Sequence, residues 1–299
     1  MSAEVRSVEL GESDVAFRCR DELGEGPVWD ASRDALLWVD ITRKTIHVWQ
    51  PGTGAHRELT VDEPVGAVVP RKGGGAVAAI GQGFAYVDLD DGTIERFADL
   101  GVADPSIRMN DAKCDRQGRF WAGTMSETLA EGAGSLYRLD TDGALSPVVA
   151  GVTVSNGLDW SPDNRTMYFI DTLRYGVDAF DFDAAAGSVS NRRRLISIDE
   201  QEGLADGLTV DSDGCIWVAL CFGGSVRRYT PEGRLDATVR LPVTMATSCA
   251  FGGDGYRTLY ITTGSSALSD EERERQVLAG SVFCTVPGVA GLPPTPFGG

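Results

Sequence analysis

NDAKCDRQGRFWAGTMS (110–126), NGLDWSPDNRTMYFIDT (156–172) and DGLTVDSDGCIWVAL (206–220) are copies of one pattern. Each opens on Asn or Asp, runs through a short apolar strand, turns at a loop containing Asp or Gly, and continues in a second strand rich in aromatic and β-branched residues. A third, alternating strand follows, as in GSLYRLD (134–140) and YGVDAFDFD (175–183). Upstream lie GPVWDASRDALLWVDITRKTIHVW (26–49) and GAVVPRKGGGAVAAIGQGFAYVDL (66–89); downstream lies SCAFGGDGYRTLYITTGSS (248–266) with GSVFCTV (280–286). Copies begin near Gly26, Gly66, Asn110, Asn156, Asp206 and Ser248, at steps of 40, 44, 46, 50 and 42 residues.

That period suits four short antiparallel strands, which make one propeller blade. Six copies predict an all-β, six-bladed β-propeller formed by residues 1–299 as a single domain. No segment sustains a 3.6-residue period, which excludes a helical solenoid. Only SDEERERQVL (269–278) reads as a helix, a surface insertion in the sixth copy. The sixth copy lacks an outer strand, because VAGLPPTPFGG (289–299) is too rich in Pro and Gly. The N-terminal VRSVEL (5–10) is expected to pair with the sixth blade and close the ring, which removes the exposed sheet edges.

With 42% hydrophobic residues the chain can bury a large core, and 37 glycines suit many tight turns. The net charge of −17 repels phosphate backbones and anionic membranes, so nucleic acid and membrane are not expected as partners. No run approaches the ~20 apolar residues of a membrane helix. MSAEVRSVELGES has no signal-peptide core. Six scattered cysteines without a CxxC pair read as reduced thiols, so a cytoplasmic monomer or weak dimer is expected.

Residues at equal repeat phase share one ring around a propeller axis. Just before the innermost strands stand Glu25-Gly26, Val65-Gly66, Asn110-Asp111, Asn156-Gly157, Asp206-Gly207 and Ser248-Cys249. Any one of the polar residues alone reads as a turn cap. Four carboxylates or amides at one phase point into one mouth of the channel instead. Glu25 and Asp206 would repel at close range, and a cation relieves that repulsion. With Asn156 they offer three oxygen ligands of charge −2, a set for a hard divalent ion such as Ca²⁺, Mg²⁺ or Mn²⁺. His47 falls in an alternating strand and His56 in a polar turn, both off the ring phase, and no GxSxG is present. A histidine zinc site and a serine triad are therefore not expected, while oxygen-ligated Zn²⁺ stays open. Asp40, Thr124, Asp171 and Thr262 end second strands at the same mouth; Asp40 and Asp171 serve equally well as turn caps. Arg108 is either a solvated arginine or a bidentate donor to substrate oxygens. The long connection Met125–Gly134 is either a lid or an exposed turn.

GEGPVWD (24–30), LLWVDI (36–41), RMNDAKCD (108–115), GRFWAGTM (118–125), SNGLDWS (155–161), YGVDAFDFD (175–183), SNRRRL (190–195), DGLTVD (206–211), IWVAL (216–220) and TSCAFGG (247–253) together resemble the senescence marker protein/gluconolactonase family, in its regucalcin-like branch, over essentially the whole length. The resemblance implies a six-bladed propeller with one divalent metal ion (Ca²⁺ foremost; Zn²⁺, Mn²⁺ or Mg²⁺ as alternatives) and hydrolysis of sugar lactones such as gluconolactone to aldonic acids. The family's metal ligands fall on Glu25, Asn156 and Asp206, and its substrate-binding Arg and Asn on Arg108 and Asn110. One position departs: a substrate-contacting Glu after the GTM motif falls on Thr128, with Glu127 just before it. On this reading Asp206 is the general base and a small sugar lactone the partner. The alternatives are a calcium-binding regulatory protein without physiological catalysis, and a promiscuous organophosphate hydrolase.

Overall fold

Asp115 and Asp211 show how a blade is made. Asp115 follows the innermost strand of blade three and accepts the backbone N–H groups of Gln117 (2.9 Å) and Arg119 (3.1 Å) and the indole N–H of Trp121 (2.9 Å). Asp211 in blade five accepts those of Asp213 (3.0 Å), Cys215 (2.9 Å) and Trp217 (2.9 Å). One buried carboxylate thus closes the turn between first and second strands and fixes the aromatic that the next strand drives between blades. The guanidinium groups of Arg119 (2.6 Å) and Arg228 (2.8 Å) offset the two buried charges.

The computed structural model describes residues 5–299. Six sheets, each of at least four strands, stand around one axis. Their innermost strands are Gly24–Asp30, Val65–Pro70, Ile107–Cys114, Ser155–Trp160, Leu204–Val210 and Ala246–Gly252, nearly all buried. Apolar side chains between neighbouring blades form the core, such as Val39, Val65 and Ile80 between blades one and two. The six-bladed propeller read from the repeats is the fold, and an N-terminal strand closes it.

The closing strand differs from the one expected. VRSVEL supplies Arg6–Glu9, which runs parallel to Leu235–Arg240 as a fifth, exposed strand of blade five. Val15–Phe17 pairs antiparallel with Val282–Thr285 and is the outer strand of blade six. Packing decides this. Phe17 places its ring 5.5 Å from both Trp38 and Trp49 of blade one and so fills the seam where the ring closes. Arg6–Glu9 buries no side chain.

The C-terminal tail closes the far mouth of the channel. Its backbone bonds to Tyr256 and Ser212 at Gly291 and Ala290, and to Pro70, Lys72 and Gly118 at Phe297 and Gly298. Phe297 is buried. The insertion in blade six carries the one α-helix among the described residues, Asp270–Arg275, capped by Ser269. No helix among them is long and apolar enough to cross a membrane. All six cysteines are free.

His56 begins the outer strand His56–Thr60 of blade one, not a polar turn, and its ring lies against His47 of the neighbouring strand Thr45–Trp49. The hairpin register sets the two on one face, which a reading of each position alone misses.

Phe17→Ala should lower the unfolding free energy by about 2 kcal/mol, less than the 3–5 kcal/mol of a fully buried Phe because Phe17 is half-buried. Val8→Ser, on the exposed fifth strand, should change it by no more than ~0.5 kcal/mol. Urea titrations of both variants read the difference; equal effects would mean that Val15–Phe17 is not the closing strand.

Candidate active site

Every innermost strand is irregular at the same level. The register with the second strand shifts at Glu25/Val28, Val65/Ala67, Met109/Ala112, Ser155/Leu158, Ala205/Leu208 and Ala246/Ser248. Six β-bulges at one phase form a ring at one mouth, and a bulge re-aims the side chains beside it. The cause is crowding between neighbouring inner strands. A Cβ on Gly157 would run into the Leu208 amide, and one on Gly66 into the Asn110 carbonyl.

The bulges bring Glu25, Asn110, Asn156 and Asp206 together. All four side chains are buried. Asp206 stands beside Asn156 and Glu25, near enough for both to act on its carboxyl. Asn156 donates its Nδ2 to Thr172 Oγ1 (2.9 Å), which leaves its Oδ1 to accept. Thr172 is fixed in turn by donating to the Ala205 carbonyl (2.9 Å). Asn110 Nδ2 donates to the Ser155 carbonyl (2.8 Å) and lies 3.4 Å from Asn156 Oδ1. The half-buried Arg108 donates to Asn110 Oδ1 (2.8 Å) and its guanidinium reaches the same mouth.

The electrostatics are those of an acidic site without a counter-ion. Burial pushes the Glu25 carboxyl well above the usual carboxylate range, and the Asp206 and Asp111 charges push it further. Asp206 rises for the same reasons, burial first and then Asp111. Arg108 is pulled down by burial, against which Glu127 pulls hardest and then Glu25 and Asp206. Two facing carboxylates and a carboxamide oxygen fit a divalent cation, which supplies the missing positive charge.

Asp40 and Asp171 are not part of this set. Asp40 accepts the amides of Glu22 (2.7 Å), Leu23 (3.2 Å) and Arg43 (3.0 Å), and Asp171 that of Val154 (3.0 Å). Both are turn caps. Thr124 is occupied by the backbone of Ser135, and Thr262 by Thr247 and the Ser248 carbonyl. In the Met125–Gly134 connection the Thr128 hydroxyl is tied to Ser126 Oγ (2.8 Å), while the Glu127 carboxylate is the one acting on Arg108.

Three features escape the phase argument. Asp111 stands where four other copies have Gly, and burial pushes it up to about 6 although Lys113 draws it down. Its place in the Asn110-Asp111 dipeptide was the available signal. Lys113 donates to Asp159 Oδ2 (2.9 Å) and to the Leu208 carbonyl (2.9 Å) across a chamber of about 80 Å³ that Pro293 and Pro294 of the tail cover. Finally, Leu129 and Phe222 are exposed apolar residues at φ 56° and 64° on the mouth-side loops of blades three and five, a left-handed backbone no sequence signal marks.

Fold and site together define a six-bladed propeller with a buried acidic cluster at one end of its channel. The chain belongs to the family described as SMP-30/Gluconolactonase/LRE-like region, which it matches over residues 23–265. It is 41% identical over 298 residues to regucalcin of Gallus gallus, covering 96% of this chain and 100% of that protein. Among solved structures it is similar to a calcium-binding protein, regucalcin, from Agrobacterium tumefaciens, with a TM-score of 0.93 and 25% identity over 98% of this chain and 99% of that one. It is also similar to a luciferin-regenerating enzyme, with a TM-score of 0.88 and 30% identity over 94% of this chain and 98% of that one.

With a chelator present, Glu25→Gln should raise the thermal midpoint by a few degrees, about 1 kcal/mol, despite removing a channel ligand. A carboxyl with a raised folded pKa costs stability as pH climbs above its unfolded value of about 4.3, so the gain should grow from about pH 5 to pH 8. Thermal scans at several pH values check this. A variant less stable than wild type at pH 8 would show that the two carboxylates do not repel.

Proposed function

We propose that this chain is a divalent-metal-dependent hydrolase that opens sugar lactones to aldonic acids. The observation that carries the reading is the buried pair Glu25 and Asp206 beside Asn156, at one end of the propeller channel, with Arg108 and Asn110 next to them. Membership of a family whose description includes gluconolactonase supports it. Glu25, Asn156 and Asp206 would hold the ion. When bound, it supplies positive charge for the oxygen that becomes negative as a carbonyl is attacked.

The remaining roles belong to side chains. Asp206 takes a proton from the attacking water as the new C–O bond forms, and returns it to the ring oxygen as the ester C–O bond breaks. Arg108 and Asn110 hold sugar hydroxyls, their own mutual hydrogen bond fixing the angle between them. Glu127 orients Arg108 and contacts the substrate; Thr128, engaged with Ser126, contributes less. A lactone is neutral, so the acidic surface does not repel it.

A second reading is a calcium-binding protein without physiological turnover, which the similarity to the calcium-binding regucalcin of Agrobacterium tumefaciens favours. Organophosphate hydrolysis draws less support, since both histidines sit in the outer strands of blade one.

A panel of aldonolactones against Ca²⁺, Mn²⁺, Mg²⁺ and Zn²⁺ after chelation separates these readings. Chelation should abolish turnover and the ions should restore it to different degrees; full activity without metal, or none with any, would sink the proposal. Asp206→Asn should reduce kcat by ~10²-fold or more, the scale of a lost general base. Arg108→Ala removes a charged hydrogen bond worth roughly 1.5–3 kcal/mol, so kcat/KM should fall by about one to two decades with metal affinity nearly unchanged. Glu127→Ala should alter the ratios of kcat/KM among lactones more than Thr128→Ala does. The reverse order would exchange the two residues' roles.

A further inference from the structure

The only two histidines of the chain meet outside the channel set, on the outer strands of blade one where the ring closes. His47 lies directly opposite Glu58 in the hairpin, and His56 is two residues before Glu58 on the same face. His47 Nδ1 is 3.2 Å from His56 Nε2 and 3.8 Å from Glu58 Oε1. One ligand atom from each of the three residues lies within 4.8 Å of the other two. Zn–N bonds of about 2.0–2.1 Å at a tetrahedral angle set two ligand nitrogens roughly 3.3 Å apart, the spacing seen here.

The surroundings suit an ion better than a plain imidazole pair. The His47 ring is buried and stacked on Trp38 at 4.5 Å and 5°, so its orientation is fixed. Its other nitrogen, Nε2, is buried without an aligned hydrogen-bond partner and faces Asp21 Oδ1 at 3.4 Å. Asp21 is itself held by the Trp38 indole N–H (2.8 Å). A ligating histidine characteristically directs its second N–H at such a carboxylate. Cys19, close by, is not a fourth ligand: burial keeps its thiol protonated, and it donates to the Gly280 carbonyl (2.9 Å). A cavity of about 180 Å³ beside the cluster leaves room for water to complete the coordination.

We propose that His47, His56 and Glu58 form a second metal site, distinct from the channel, for a divalent transition ion of the Zn²⁺ class. Two imidazoles and one carboxylate suit Zn²⁺, Co²⁺, Ni²⁺ or Cu²⁺ and discriminate against Ca²⁺, the reverse of the all-oxygen channel set. The site has a structural consequence. Phe17, on the N-terminal strand that closes the ring, rests its ring 4.3 Å from His56. An ion that fixes His56 against His47 therefore stiffens the seam on which that strand docks. It binds the folded chain alone and so raises the unfolding temperature.

The test uses the full-length chelated protein, dialysed against Zn²⁺ or Co²⁺ with Ca²⁺ in large excess to occupy the channel. Wild type should retain one Zn²⁺, develop tetrahedral Co²⁺ absorption in the visible, and melt higher with Zn²⁺ added. His56→Gln should lose all three. The loss of affinity should exceed the roughly 10–100-fold that removing an outer-shell partner costs. Glu58→Gln, at an exposed position, should weaken Zn²⁺ at least about tenfold without disturbing the fold. Lactone turnover with Ca²⁺ should be the same in wild type and both variants, which separates this site from the channel. Zn²⁺ retained equally by wild type and His56→Gln, or not retained by wild type under excess Ca²⁺, would overturn the proposal.

Discussion

Six innermost strands converge on one axis, and at the mouth of the channel no room is left for a side chain between neighbouring backbones. Gly66 and Gly157 stand where a Cβ would meet the next strand's main chain. The strands answer the crowding by bulging together at that level, and the bulges of blades one, three, four and five carry Glu25, Asn110, Asn156 and Asp206. Glu25, Asn110, Asn156 and Asp206 are gathered for this reason alone. Closure of the ring holds the arrangement, because an open sheet would relax the spacing that forces the bulges. The stability of the Phe17 seam and the geometry of the mouth are thus linked through the circumference.

The period of the repeat and the phase of the four polar residues were legible because both depend only on counting along the chain. The features that escaped depend on what lies across it. VRSVEL and the three residues Val15–Phe17 both alternate well enough to be a closing strand, and only the docking of Phe17 between Trp38 and Trp49 decides between them. His47 and His56 meet through the register of a hairpin, and a slip of one residue would put them on opposite faces. The tail Leu292–Phe297 carries no strand pattern, so nothing in its composition tells that it covers the far mouth.

The same limit separates Asp40 and Asp171 from Asp206. All three stand at the mouth-side end of a strand. Asp40 and Asp171 meet backbone N–H groups that satisfy them, as does Asp30 in blade one, which accepts from Ser32. Asp206 instead shares its contact with Asn156 and a second carboxylate. What a carboxylate does here is set by the donors within reach. Residue type and strand position leave that open.

The charge of the channel gives a last constraint. From the mouth to the covered end it is lined by four buried or half-buried carboxylates, Glu25, Asp111, Asp159 and Asp206, against two such cations, Arg108 and Lys113, while the exposed Glu127 and Arg116 at its two ends cancel. The lining is thus left at a formal −2. Asp159 is matched by Lys113 at 2.9 Å, so the excess is concentrated at the mouth end, on Glu25, Asp206 and Asp111. Burial pushes all three of these carboxyls up, and for Glu25 and Asp206 the neighbouring carboxylate charges push further. A single divalent cation removes the same surplus completely, and a monovalent one only half of it. Lys113 shows the alternative solution at the end of the channel that the tail covers, where a fixed ammonium bonds to Asp159 and to the Leu208 carbonyl. The fold has therefore placed a fixed cation under the tail and left the uncompensated carboxylates at the other end of the channel.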